Sequence, residues 1–101
     1  MKLPELAIGK RETIELEYRG FVTVTRLSVD VLRINLFFID SEYQRKGYGS
    51  YYIKKLVRIA RAKGIKYLVL GASSEEAIKF FKRLGFHHVR NQPRDEMVRK
   101  I

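Results

Sequence analysis

Leu36-Phe37-Phe38-Ile39-Asp40-Ser41-Glu42-Tyr43-Gln44-Arg45-Lys46-Gly47-Tyr48-Gly49-Ser50 decides the fold. An apolar run gives way to a polar loop, two glycines punctuate it, and a new periodicity follows. Upstream, Leu32-Arg33-Ile34-Asn35-Leu36 alternates and predicts a strand that continues to Ile39. Because Phe37, Phe38 and Ile39 are apolar in succession, that strand is expected to be central and covered on both faces at its end. Downstream, Ile53, Leu56, Val57 and Ala60 recur at i, i+3, i+4 and i+7, one face of a helix over Ser50–Lys63. Lys54, Lys55, Arg58 and Arg61 take its outer face, and Gly64 sits where a glycine ends a helix.

Working outward, Thr13–Tyr18 alternates polar and apolar residues, Arg19-Gly20 reads as a turn, and Phe21–Val29 reads as the returning strand of a hairpin. Lys66–Leu70 is a short apolar strand. Ser73-Ser74-Glu75-Glu76 matches the S-x-x-E capping box and opens a helix with Ala77, Phe81 and Leu84 on one face, closed by Gly85. Phe86–Val89 and Glu96–Lys100 read as two strands joined through Asn91-Gln92-Pro93. The order of three strands, helix, strand, helix, two strands predicts an α/β fold with a mixed, mainly antiparallel sheet and two helices.

At 101 residues, one domain spanning 1–101 is expected. The apolar fraction of 46% excludes a disordered chain. No apolar run approaches the roughly 20 residues of a membrane span, and Met1-Lys2-Leu3-Pro4-Glu5 lacks the pattern of a signal peptide. A cytoplasmic protein without membrane partners is expected. With no Cys, disulfides, thiolate metal sites and a cysteine acyl-enzyme are excluded, and no metal site is expected. Few side-chain amides beside abundant Lys, Arg and Glu resemble a thermophile's composition. Residues 1–40 are neutral, whereas residues 41–101 carry fifteen basic and five acidic residues, so the whole net charge of +10 lies there. Such a half suits a phosphorylated ligand, a nucleic acid or an acidic partner.

Gln44-Arg45-Lys46-Gly47-Tyr48-Gly49-Ser50 lies between the buried strand and a helix N-terminus. Glycines permit a tight turn and close approach of a ligand, the first helical amides lack internal partners, and Arg45 and Lys46 add charge. Together these describe a pyrophosphate cradle. Both the Walker A pattern and G-x-G-x-x-G fail, because Tyr52 occupies the later glycine position.

The stretch from Gln44 to Gly49 resembles the Arg/Gln-x-x-Gly-x-Gly/Ala acyl-CoA motif of the GNAT superfamily of N-acetyltransferases. The likeness continues through Leu36–Ile39 and through Ala77-Ile78-Lys79-Phe80-Phe81-Lys82-Arg83-Leu84-Gly85-Phe86, similar to the family's A-x-x-F-Y-x-x-x-G-F stretch. It covers about residues 32–101 and implies an acetyl-CoA-dependent N-acetyltransferase acting by direct transfer to an amine in a ternary complex. By the same resemblance, amides from Arg45 to Ser50, including Lys46, Gly47, Tyr48 and Gly49, would hold the pyrophosphate. Gln44 belongs to that motif. The strand edge at Phe37, Phe38 and Ile39 would meet the pantetheine arm, and a backbone amide there would polarise the thioester carbonyl. Ser74 stands where the family often has a CoA-contacting asparagine.

Phe81 stands where the family often has a tyrosine acid, so the thiol leaves without that proton donor. Candidate bases are Glu42 and His87, beside Asp40 and His88, and each also reads as a surface or turn residue. Only about thirty residues precede the matching segment and they read as strands, so a fold without the family's usual N-terminal helix pair is expected. A second subunit in a homodimer is the expected cover for the exposed sheet. Two alternatives from other classes stay open: a GNAT-like CoA-binding module without turnover, and a basic nucleic-acid-binding domain that lacks a recognisable reading motif.

Overall fold

The computed structural model describes residues 3–17, 19–92 and 95–101. The expectations for Met1-Lys2, for Tyr18 as a strand end, and for Pro93 in the last turn lie outside them. The chain forms β1 (Arg11–Leu16), β2 (Gly20–Arg26), β3 (Val31–Ile39), α1 (Tyr48–Ala62), β4 (Tyr67–Gly71), α2 (Glu75–Arg83), β5 (His87–His88) and β6 (Glu96–Lys100). One sheet of six strands runs β1-β2-β3-β4-β6-β5, with β3 and β4 parallel and every other pair antiparallel. The parallel pair is joined through α1, the crossover that a strand–helix–strand unit requires. The predicted mixed sheet with two helices is therefore the observed fold.

Period-2 alternation puts Ile14, Val22, Val24, Leu32, Ile34, Leu68, Leu70 and Met97 on one buried face. Tyr52, Ile53, Leu56, Val57 and Ala60 of α1 and Phe81 of α2 join the same cluster. Burying each of the larger side chains contributes about 1.5–3 kcal/mol, which holds α1 against the sheet. Both helices end as the sequence predicts. Ile65 N–H and Gly64 N–H return to Ala60 and Arg61 carbonyls, and Phe86 and Gly85 do the same to Phe81 and Lys82.

Several local expectations are corrected. Gly20 is the first residue of β2 and not part of the turn, because it already pairs with Ile39 of β3; a Cβ there would collide with the Phe38 carbonyl oxygen. β2 stops at Arg26, where a tight turn takes over. Leu27 N–H donates to Val31 O, and the Arg26 guanidinium donates to Val29 O. The N-cap of α2 is Ser74, whose Oγ accepts from Ala77 N–H at 3.1 Å. The capping register is thus one residue later than S-x-x-E from Ser73, and Ala77, not a glutamate, occupies the third helical position.

The largest correction concerns β3. Thr23 faces Leu36 while Val24 faces Ile34, so Asn35 is an extra, bulged residue. A bulge shifts side-chain parity by one. Leu32 and Ile34 share the buried face with Phe37 and Ile39, while Leu36 (57% exposed) and Phe38 (49% exposed) turn to the other face. The apolar run is therefore not covered on both sides. Phe38 stacks on Phe21 across the open face, ring centroids 5.5 Å apart.

Candidate functional site

Parallel pairing of β3 with β4 begins at Val31 and ends at Ile34 opposite Leu70. Beyond that point β4 pairs with β6 alone, Gly71 facing Glu96, and β3 pairs with β2 alone. The two central strands have parted, and a cleft of about 940 Å³ fills the gap. Ile34, Asn35, Phe37 and Ile39 line one wall, Leu70–Ser74 the other, and Phe80, Phe81 and Leu84 of the α2 segment a third side.

Alternation along β3 decides which backbone groups face this cleft. Asp40 N–H donates to Arg19 O at 2.8 Å, on the β2 side. In an antiparallel ladder every second residue repeats that direction, so Phe38 and Leu36 also turn their amides to β2. Phe37 and Ile39 turn theirs to the edge that β4 has vacated. The Ile39 carbonyl on that edge accepts from Gln44 Nε2 at 2.7 Å, which ties the following loop to the strand end.

The loop reaches the mouth of the cleft through two left-handed residues, Arg45 (φ 60°) and Gly47 (φ 84°). Gly47 is the N-cap of α1 and brings no side-chain cap. The first intrahelical acceptor is Gly47 O, which receives Tyr51 N–H at 3.0 Å. Among the described residues, the amides of Arg45, Lys46, Gly47, Gly49 and Ser50 have no acceptor. Those in the first turn sit at the positive end of the α1 dipole. Gly49 serves a different purpose: an added Cβ would lie 3.2 Å from Phe80 Cζ and 3.8 Å from Ile39 Cδ1. Its missing side chain lets α1 and α2 close on the strand end.

Of the residues singled out by the sequence, Phe37, Ile39, Gln44, Arg45, Gly47, Gly49, Ser50, Ser74 and Phe81 line the cleft. Phe38, Lys46 and Tyr48 do not. Phe38 lies on the open sheet face, the Lys46 ammonium sits 6.0 Å from the Tyr43 ring centroid, and Tyr48 packs edge-on against Tyr43. Glu42 is exposed in a 3-10 turn, and its own amide donates to Asp40 Oδ1 at 3.4 Å. His87 is exposed on β5 opposite Val98. Neither side chain lines the cleft. Phe81 is buried between Phe80 and Phe86, edge-on to both.

Three features were missed. The sequence signal of the Asn35 bulge is a single polar residue interrupting an apolar strand. Glu76 lines the cleft and reaches toward Arg45, 4.0 Å away, with both side chains exposed. Arg33 and Glu96 form a bidentate pair, at 3.0 and 2.9 Å, that reaches across β4 where β3 and β4 part. The hydrogen bonds from Arg33 hold the Glu96 carboxyl below its ordinary range, and the same bonds raise the already basic guanidinium. No group of three His, Asp or Glu among the described residues is placed to hold a metal ion.

Chemically, an exposed strand edge can accept an extended amide-bearing chain by main-chain pairing. Bare amides at a helix N-terminus accept an anion. The cleft places the two next to each other, joined by the Gln44 clasp.

The sequence model of the Acetyltransferase (GNAT) family matches residues 13–86. An N-acetyltransferase of Methanocaldococcus jannaschii, itself named as uncharacterised, is 36% identical over 59 residues, covering 56% of this chain and 26% of its own length. A GNAT family acetyltransferase from Elizabethkingia anophelis, solved with acetyl-CoA bound, superimposes with TM-score 0.71 at 18% identity, over 82% of this chain and 69% of that one. The PaiA N-acetyltransferase from Thermoplasma acidophilum, solved with coenzyme A, gives TM-score 0.71 at 20% identity, over 82% and 54%. The chain thus spans about a quarter of its archaeal relative and half to two thirds of these structures. On the family match over residues 13–86, with the shared architecture beside it, the chain belongs to the GNAT family of acetyltransferases.

Proposed function

We propose that the cleft binds acetyl-CoA and that the protein transfers the acetyl group directly to an amine within a ternary complex. One observation carries this reading: a run of amides without acceptors at the N-terminus of α1, adjoining the strand edge that β4 leaves open. The bare amides of Arg45, Lys46, Gly47, Gly49 and Ser50 grip the pyrophosphate, and the Arg45 guanidinium adds charge at the mouth. The Phe37 and Ile39 backbone groups pair with the pantetheine arm. Ser74 borders the same channel from the α2 side, with its Oγ lone pair already accepting from Ala77. An edge N–H of β3 polarises the thioester carbonyl as negative charge develops on its oxygen. A fixed backbone dipole does this without reorganising.

Phe81 has no proton to supply, so the thiol departs as thiolate, a competent leaving group with a pKa of about 8.5 for a free Cys thiol. Glu42 and His87 lie outside the cleft lining, and the amine proton passes to solvent through the open mouth. The named acetyl-CoA and coenzyme A complexes of the structural neighbours support the choice of donor.

The test is thermal and chemical. Acetyl-CoA at 100 times Kd adds about 2.7 kcal/mol to stability, and labelled acetyl-CoA is consumed faster with amines, polyamines or peptides present. No stabilisation at millimolar ligand overturns the reading. Phe81 in place of a proton donor, and Glu76 exposed beside Arg45 as the one carboxylate among the described lining residues, favour a second reading, a CoA-binding module without turnover. Stabilisation without transfer to any acceptor would select it.

A further inference from the structure

A second groove, of about 710 Å³, runs between the outer side of α1 and the corner that follows α2. Lys54, Arg58 and Arg61 line it from α1, Arg83 from the end of α2, and Arg99 from β6. No carboxylate lines it among the described residues. Tyr51, 43% exposed, joins the lining, with the Lys55 ammonium 5.6 Å from its ring centroid and Tyr52 edge-on to it.

A merely solvated helix face would intersperse Glu with its Lys and Arg, since such pairs at i, i+4 are stabilising and like charges are not. α1 has four basic residues and no acidic one. Lys54 with Arg58, and Arg58 with Arg61, are like-charged neighbours on one face. Arg99 Nη1 donates to Leu84 O at 2.8 Å, which fixes the guanidinium at the groove wall. Its remaining N–H groups have no acceptor among the described residues. An anion spanning these cations relieves their mutual repulsion.

We infer that this groove binds a single-stranded nucleic-acid segment, its phosphates tracking the five cations and one base stacking on Tyr51. A row of cations alone serves any polyanion. The exposed ring among them selects a strand with unstacked bases over a duplex. The inference does not depend on acetyl transfer, and the groove shares only Arg83 and Leu84 with the cleft.

The experiment measures binding of fluorescent uridylate and thymidylate strands of about 12 nucleotides, and of a duplex of the same length, by anisotropy at several salt concentrations. Either single strand binds at low salt, more tightly than the duplex. The double variant Arg58→Glu, Arg61→Glu weakens binding at least about tenfold and flattens the log–log salt dependence by roughly 1.4, about 0.7 for each lost phosphate contact. Tyr51→Ala weakens single-strand binding roughly 5- to 140-fold and leaves the salt slope unchanged. Circular dichroism and the acetyl-CoA thermal shift, both retained in these surface variants, establish that they fold. Absence of binding at low salt, equal or tighter duplex binding, or indifference to Tyr51→Ala overturns the inference. So does displacement of the strand by coenzyme A, which would give the groove to the nucleotide tail of the cleft's own ligand.

Discussion

Gly47→Ala tests whether the loop backbone, and not its charge, makes the site. Gly47 has φ 84° and caps α1, and an added Cβ would meet nothing within 4 Å. Packing therefore contributes nothing to the change. The whole cost is that of holding an L-residue in the left-handed region, about 1–2 kcal/mol. In a domain of this size each kcal/mol shifts Tm by roughly 4–8 °C, so a fall of about 5–15 °C is expected by circular dichroism. The chain relieves that strain by rotating the 45–48 peptides, which turns their amides from the cleft mouth. Acetyl-CoA affinity, measured by calorimetry, is then expected to fall by more than tenfold. Gly47→Asn is the control, since asparagine tolerates the same region and caps helices well. It should recover most of the stability and the binding. If Gly47→Ala melts and binds as the parent does, the cradle argument is wrong.

Three further outcomes follow from the geometry. Gly20→Ala forces a Cβ onto the Phe38 carbonyl and should destabilise by about 1–3 kcal/mol or more, read by urea unfolding, because backbone cannot yield as a side-chain tip does. Glu96→Gln should cost about 1–2 kcal/mol at neutral pH by removing the charged bonds from Arg33. The folded Glu96 pKa is depressed, so the pair's contribution is complete above the unfolded value and is lost as pH falls through the folded one. The gap between parent and variant should accordingly narrow as pH falls below the unfolded value of about 4.3, and a gap that stays constant on acidification refutes the assignment. Glu42→Gln and His87→Ala should each leave acetyl transfer within about threefold, against the roughly 10²–10⁴-fold that loss of a positioned base removes.

Much of the site was legible because its signals are local. A strand turning into a helix through Gln44–Ser50 shows in a change of period, and Gly47 and Gly49 mark backbone demands at single positions. The sequence did not separate those demands. Gly47 answers a left-handed turn, whereas Gly49 answers the approach of Phe80, thirty-one positions along the chain. In the sequence Phe37, Phe38 and Ile39 look like one edge. Only the ladder with β2 shows that Phe38 directs its backbone and side chain elsewhere. Glu42 and His87 were attractive by residue type, but exposure and distance from a cleft are not written in type.

Residue order alone determined the succession of strands and helices, the helix ends at Gly64 and Gly85, and the likeness to acetyltransferases. Each depends on interactions within a few positions, where periodicity and capping are sufficient guides. Tertiary structure decided the rest. The Asn35 bulge exists only because β2 pairs with β3 in one register, and the cleft exists only because β4 leaves β3 after Ile34 to follow β6. Arg33 meets Glu96 across 63 positions, and Arg99 joins the cations of α1 at a groove that no stretch of sequence contains. Pairing energy is shared among distant strands, so where the sheet opens is a property of the whole ladder and of none of its segments.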